Sequence, residues 1–198
     1  GMGTPASLPR RKNIRLNGYD YACEGAYFIT IVTKERQVLF GDVVDGEIML
    51  NDYGRIVAEE WERSGVVRAE IELDEYVVMP NHFHAIVNIF QDDRSLCRGD
   101  RPIDQINPTV VGAYGHTPLL QNQFKSPSRT LGSLVRGFKS AVTTRINAMR
   151  GTPGVPVWQR NYHDHIIRSD REYEDVAGYI ASNPANWLTD DENAPAGC

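Results

Sequence analysis

No stretch of the sequence reaches the roughly 18 consecutive apolar residues that a membrane-spanning helix requires, so no such span is expected. Gly1 to Pro9 lacks the apolar centre of a secretory signal, and the Gly1-Met2 start reads as a scar of tag removal, set aside from fold reasoning. Cysteine is scarce: Cys23, Cys97 and Cys198 are scattered, odd in number and without a C-x-x-C pair. That spacing offers neither a disulfide framework nor a zinc knuckle, and a reducing cytoplasm is the expected compartment. The most telling shortage is of acid. Between Gln105 and His163 there is no Asp or Glu, although the whole chain has 26.

Of the 198 residues 41% are hydrophobic, enough for one domain of ordinary size with its own core. The net charge of −5 speaks, taken alone, against a nucleic-acid partner. The acid-free stretch, however, carries Lys125, Arg129, Arg136, Lys139, Arg145, Arg150 and Arg160, and a second basic cluster, Arg10, Arg11, Lys12 and Arg15, lies near the start. Positive charge gathered on one part of an otherwise acidic chain is the footprint of a phosphate-binding face. A solvated surface that merely lacks acids would look the same in sequence.

Ala26 to Thr33 is rich in β-branched and aromatic residues and predicts a strand. Asp45-Gly46 between apolar pairs predicts a hairpin. Asn51 offers an N-cap for a helix whose Ile56, Val57 and Trp61 recur at helical spacing until Gly65. Two strands follow, Glu70 to Met79 and His82 to Phe90, joined at Pro80-Asn81. Gln91 to Pro127 has no sustained period and reads as a mobile insertion, since loops of that length inside a domain are usually functional or disordered. Ser128 and Thr130 are candidate caps for an amphipathic helix to about Met149, with Arg136, Lys139 and Arg150 grouped on one flank and Arg145 off it. Val157 to Arg168 predicts a strand or extended segment, and Ser169 or Asp170 caps a last helix from Arg171 to about Ser182, stopped by Asn183-Pro184. The chain thus divides into a tail over 1–18, one domain over 19–188 with the insertion at 91–127, and a tail over 189–198. Hairpins with separate helices indicate an α+β fold with an antiparallel sheet.

His82 and His84 stand two apart in a predicted strand, so both imidazoles leave the same face. That presents two ligands to one metal and leaves positions open for a substrate oxygen. It equally describes a pair of structural histidines. On the last helix Tyr179 and Asn183 lie four apart and project together. A tyrosine hydroxyl can attack phosphorus once a metal neutralises the phosphate, and an amide oxygen can complete the metal's shell. The same two residues also read as a half-buried aromatic and a helix C-cap.

VVMPNHFHAIV, with GYIASNPANW far downstream, closely resembles the single-tyrosine HUH transposases, in particular the branch associated with repetitive extragenic palindromes. The resemblance runs from about Tyr19 to Trp187, takes in YFITIVTKERQVLFG, GFKSAVTTRIN and VWQRNYHDHIIR, and spares mainly the insertion. It implies a ferredoxin-like antiparallel sheet with helices on its faces, in a bacterial, cytoplasmic protein. His82 and His84 match the metal ligands, with Phe83 between them, and Tyr179 matches the nucleophile. Asn183 stands where many insertion-sequence relatives carry Gln as third ligand; it is one methylene shorter and adjoins Pro184. The implied cofactor is Mg²⁺ or Mn²⁺, and the implied reaction is cleavage and transfer of single-stranded hairpin or palindromic DNA through a 5′-phosphotyrosine with a free 3′-OH. Relatives place the tyrosine helix on their own or on a partner's site, so a monomer and a homodimer are both open.

Arg136, Lys139, Arg160 and Arg168 are candidate phosphate contacts, which give affinity without sequence preference. His165 matches a recurring family histidine and reads as support or hydrogen bonding around the site rather than as a ligand. Tyr162 is a candidate for stacking on unpaired bases, while Trp158 reads as packing. Three other readings compete: a domesticated protein that binds DNA hairpins without cutting them, an H-x-H metal enzyme of cupin-like type, and a structural RNA binder. The cupin-like pattern wants a Glu soon after the histidines, where Ile86, Val87, Asn88 and Ile89 stand instead.

Overall fold

A computed structural model describes residues 24–90 and 127–189. The predicted insertion (save Pro127), both tails, the N-terminal basic cluster and all three cysteines lie outside the described residues. The elements are β1 (Glu24–Val32), a 3-10 turn (Lys34–Arg36), β2 (Gly41–Val44), β3 (Glu47–Leu50), α1 (Asp52–Val67), β4 (Ile71–Val78) and β5 (His82–Phe90). Then come α2 (Pro127–Arg150), β6 (His163–Ile167), α3 (Asp170–Ser182) and a 3-10 turn (Trp187–Thr189).

The main sheet has the order β4-β5-β1-β6 with every neighbouring pair antiparallel. Leaving out the β2-β3 hairpin, this is βαββαβ with the first and third sheet strands central, the ferredoxin-like arrangement. The fold is therefore α+β. Strand alternation assigns the two faces. Tyr27, Ile29 and Ile31 of β1 and Phe83, Ala85, Val87 and Ile89 of β5 form one core with Trp61 of α1 and Leu131, Leu134, Phe138 and Val142 of α2. Ala26, Val77, Met79 and Ile86 face the other way and pack beneath Tyr173 and Ile180 of α3. Because β5 is central and covered on both faces, His82 and His84 are buried at 0% and 2% exposure.

Local chemistry explains most boundaries. Asp45 and Gly46 have φ of 53° and 76°, a left-handed pair that suits the two-residue β2-β3 turn. Asn51 caps α1, its Oδ1 accepting from the Gly54 N–H at 3.0 Å. Ser169 caps α3, its Oγ accepting from the Glu172 N–H at 3.2 Å.

Three expectations need correction. Gly65 does not end α1, which continues to Val67; a Cβ there would stand 2.7 Å from Leu73 Cγ, so the glycine is a close approach between helix and strand. α2 begins at Pro127 itself, where a fixed φ and a missing N–H suit a first helical position. Most of Val157 to Arg168 is not strand: only His163–Ile167 pairs with β1, while Trp158 makes one bridge to Thr33 and packs its ring against Phe40 and Phe138.

Candidate active site

The α3-covered face of β5 carries His82 and His84 side by side, their ring centroids 4.6 Å apart and nearly perpendicular. Each ring is steered through Nδ1. The Nδ1–H of His82 donates to Asn81 Oδ1 at 2.7 Å, and His84 Nδ1 is 2.8 Å from Thr30 Oγ1, on the residue paired with it in β1. Holding a ring by one nitrogen fixes the direction of the other, and at His82, where the partner oxygen only accepts, it fixes the tautomer as well. Burial, followed by the neighbouring His82, lowers the His84 pKa to about 3 against a smaller opposing effect of the Ile29 backbone, so this ring is neutral at pH 7. Phe28 stacks on His84 with centroids 5.3 Å apart, and Trp187 stacks on His82 at 6.1 Å.

α3 brings Tyr179 to this pair. Its hydroxyl lies 3.5 Å from His84 Nε2, its ring meets Phe28 edge-on, and the residue is 42% exposed. One turn on, Asn183 closes α3 as its C-cap and is 1% exposed. Its Oδ1 is buried without a hydrogen-bond partner. A buried amide oxygen left unmade costs about 1–3 kcal/mol, which a cation would remove. Along the chain Asn183 falls between Tyr179, set against His84, and Trp187, set on His82. Two imidazoles, of which His84 is neutral, and one orphaned amide oxygen fit a divalent cation that keeps open positions. No group of three or more His, Cys, Asp or Glu suitable for a metal occurs among the described residues.

No family model matches the chain. A protein of Haemophilus influenzae, named only as uncharacterized, is 37% identical over 185 residues, which cover 93% of this chain and 94% of that protein. The chain belongs to the same family as that protein. Among solved structures it is similar to a REP-associated tyrosine transposase bound to a REP hairpin, with TM-score 0.46 and 15% identity over 91% of this chain and 74% of that one. It is also similar to a structure from Deinococcus radiodurans described as that of a "putative transposase", with TM-score 0.38 and 19% identity over 84% and 95% of the two chains. Both scores lie below 0.5, too low for superposition alone to establish a shared activity.

The basic candidates do not form one patch. Arg136, Lys139 and Arg160 line a cleft of about 560 Å³ between α2 and the segment entering β6, on the α1/α2 side of the sheet. Arg168 lies past the far end of β6 and does not line it. Lys139, expected to meet phosphate, instead donates from Nζ to the carbonyls of Gln159 at 2.6 Å and Arg160 at 3.2 Å, and burial lowers its pKa. Arg145 is held by Glu59 and Glu60 of α1 at 2.7 and 2.9 Å, which joins α1 to α2. His165 bonds to Glu172 Oε1, and Glu172 Oε2 accepts from the Arg168 N–H at 2.8 Å, tying the first turn of α3 to β6. Those two contacts, the Arg168 N–H first, lower the Glu172 pKa. Sequence reasoning missed Thr30, Phe28 and Trp187. Only strand pairing and the turn after α3 bring them to the histidines, and no spacing in the chain signals this.

Proposed function

We propose that the chain is a metal-dependent tyrosine transposase that cleaves and transfers single-stranded DNA with hairpin or palindromic elements. The observation that carries this is the placement of the Tyr179 hydroxyl 3.5 Å from Nε2 of His84, beside a second histidine on the same sheet face. His82, His84 and Asn183 would hold Mg²⁺ or Mn²⁺. When bound, the cation supplies charge neutralisation on the scissile phosphate.

The chain's own residues do the rest. Tyr179 is exposed enough to meet a strand from solvent, and Phe28 limits its ring to the side of His84. The Tyr179 oxygen attacks phosphorus, forming the O–P bond of a 5′-phosphotyrosine as the bond to the 3′-oxygen breaks. The phenolic proton goes to solvent and the departing 3′-oxygen takes one up. Attack by another 3′-OH reverses these steps and joins strands without ATP, because the bond energy is kept in the phosphotyrosine. The His165–Glu172–Arg168 contacts fix the start of α3 and thereby the reach of Tyr179.

The test is covalent trapping on a denaturing gel. Labelled hairpin oligonucleotides, including palindromes from around the protein's own gene, are mixed with protein and Mn²⁺ or Mg²⁺. A labelled protein band that requires metal and is absent from Tyr179→Phe and from His82→Ala/His84→Ala supports the reading. Hairpin binding with no adduct under any metal replaces cleavage by the non-cleaving binder, and absence of binding removes the DNA reading altogether.

A further inference from the structure

The α2/β6 cleft lies on the opposite face of the sheet from His82, His84 and Tyr179. Its volume of about 560 Å³ is within the range of sites that hold a small organic group. Gly132 and Val135 of α2 lie along it with Arg136; Arg160 and Tyr162 come from the segment that enters β6, and Asp164 comes from β6 itself. Asp164 reaches this face by strand alternation: it pairs with Ile29, a residue of the α1/α2 core, while its neighbours His163 and His165 face α3. Among the described residues the guanidinium groups of Arg136 and Arg160 and the carboxylate of Asp164 enter no ion pair. The Tyr162 hydroxyl is 3.9 Å from the point where a Gly132 Cβ would be, so the missing side chain leaves room beside the ring. Lys139 holds the carbonyls of Gln159 and Arg160 and so sets the segment that bears Arg160 and Asn161.

Three chemistries meet in this cleft: two cations free for anionic oxygen, one half-buried aromatic ring, and one carboxylate that only accepts hydrogen bonds. A bare phosphate would use the cations but be repelled by Asp164. Paired bases are stacked inside a duplex and cannot enter. We propose that the cleft holds one unpaired nucleotide of the DNA, with phosphates on Arg136 and Arg160, the base against Tyr162 and its exocyclic amino group on Asp164. This rests on the DNA reading above but uses none of the residues of that site. Cytosine, adenine and guanine each offer an amino group; thymine offers none, and its one donor, N3–H, lies between two carbonyl oxygens that face the carboxylate unfavourably. Since β6 is an edge strand, the DNA passes round it between this cleft and Tyr179.

The test is binding in EDTA, which separates it from cleavage. Wild-type protein is titrated with fluorescent short homopolymers of deoxycytidine, deoxyadenosine and thymidine. The deoxycytidine and deoxyadenosine strands are expected to bind about tenfold more tightly than thymidine. Asp164→Asn, whose amide can donate to thymine, reduces that preference to less than about threefold. Arg136→Ala/Arg160→Ala weakens all strands alike and lowers the salt slope by about 1.4, two single-strand contacts at about 0.7 each. Gly132→Leu blocks the cleft without removing charge and also weakens all strands, with helicity checked by circular dichroism. No base preference in wild type, a preference that survives Asp164→Asn, or unchanged binding by both other variants overturns the proposal. So does a cytidine ribo-oligomer bound about tenfold more tightly than its deoxy counterpart. If these variants bind as wild type while the Tyr179 adduct forms, the subsite falls and cleavage stands; if the base preference holds but no adduct forms, the reverse is true.

Discussion

Replacing Asn183 by alanine separates a metal ligand from a helix cap. The backbone N–H of Asn183 bonds to the Ile180 carbonyl and survives the change, whereas the buried Oδ1 without a partner is removed. An orphaned buried acceptor costs about 1–3 kcal/mol, and the small cavity left by truncation costs a similar amount, so in EDTA the variant should lie within about 1 kcal/mol of wild type. With Mn²⁺ the two should part. At a concentration about 100 times its Kd, a ligand that binds only the folded state stabilises by about 2.7 kcal/mol. Loss of one donor, taken as about 100-fold in affinity, leaves about 0.4 kcal/mol at that concentration. For a domain of this size about 2–4 °C accompany each kcal/mol, so wild type should gain about 5–11 °C and Asn183→Ala only about 1–2 °C. Scanning calorimetry with and without Mn²⁺ reads both numbers. Equal Mn²⁺ shifts in the two proteins would refute ligation by Asn183, and a loss above about 3 kcal/mol in EDTA would show that Oδ1 has a structural partner instead.

In metal-free protein the His84 pKa of about 3 lies below that of an unfolded histidine, so the unfolded chain takes up a proton first. Stability from this group is therefore full above about pH 6.5 and falls by about 1.4 kcal/mol per pH unit below it, until the folded protein protonates too. Urea midpoints against pH should be correspondingly flatter for His84→Phe, and identical slopes would refute the assignment. Lys139→Met should cost roughly 1–2 kcal/mol in urea, because two backbone carbonyls lose a charged donor, yet leave the salt slope of DNA binding unchanged. Trp61→Ala should cost about 3–5 kcal/mol in denaturant melts, since the ring is fully buried against Phe83 and Phe138, and Trp61→Phe should recover much of it.

The described elements were legible where local chemistry decides them. Asp45-Gly46 names its turn, Asn51 and Ser169 name their helix starts, and the apolar stripe of α2 is buried from Leu131 to Ile146 as its period implies, though its last member, Met149, is 56% exposed. Legibility failed where a residue answers to a distant partner. Gly65 looks like a helix stop but is small because Leu73 presses on it. Arg145 and Lys139 both look like free cations, yet one serves α1 and the other the loop before β6.

β4 shows the division most clearly. Its register shifts between Leu73 and Tyr76, so these residues, three apart, both pair with residues of the α1/α2 face of β5, Val87 and Ala85. Strict alternation would put them on opposite faces. By itself the sequence determined that His82 and His84 share a face and that Tyr179 and Asn183 share another, because strand and helix periods are set by the backbone alone. That these two faces meet, that Thr30 orients the His84 ring, and that Arg136 and Arg160 gather on the far side while Arg168 does not, was decided only by tertiary structure. Such contacts join residues 54 to 95 positions apart in the chain, as in the Thr30–His84 and His84–Tyr179 pairs, and depend on sheet order and helix docking, which no local period encodes.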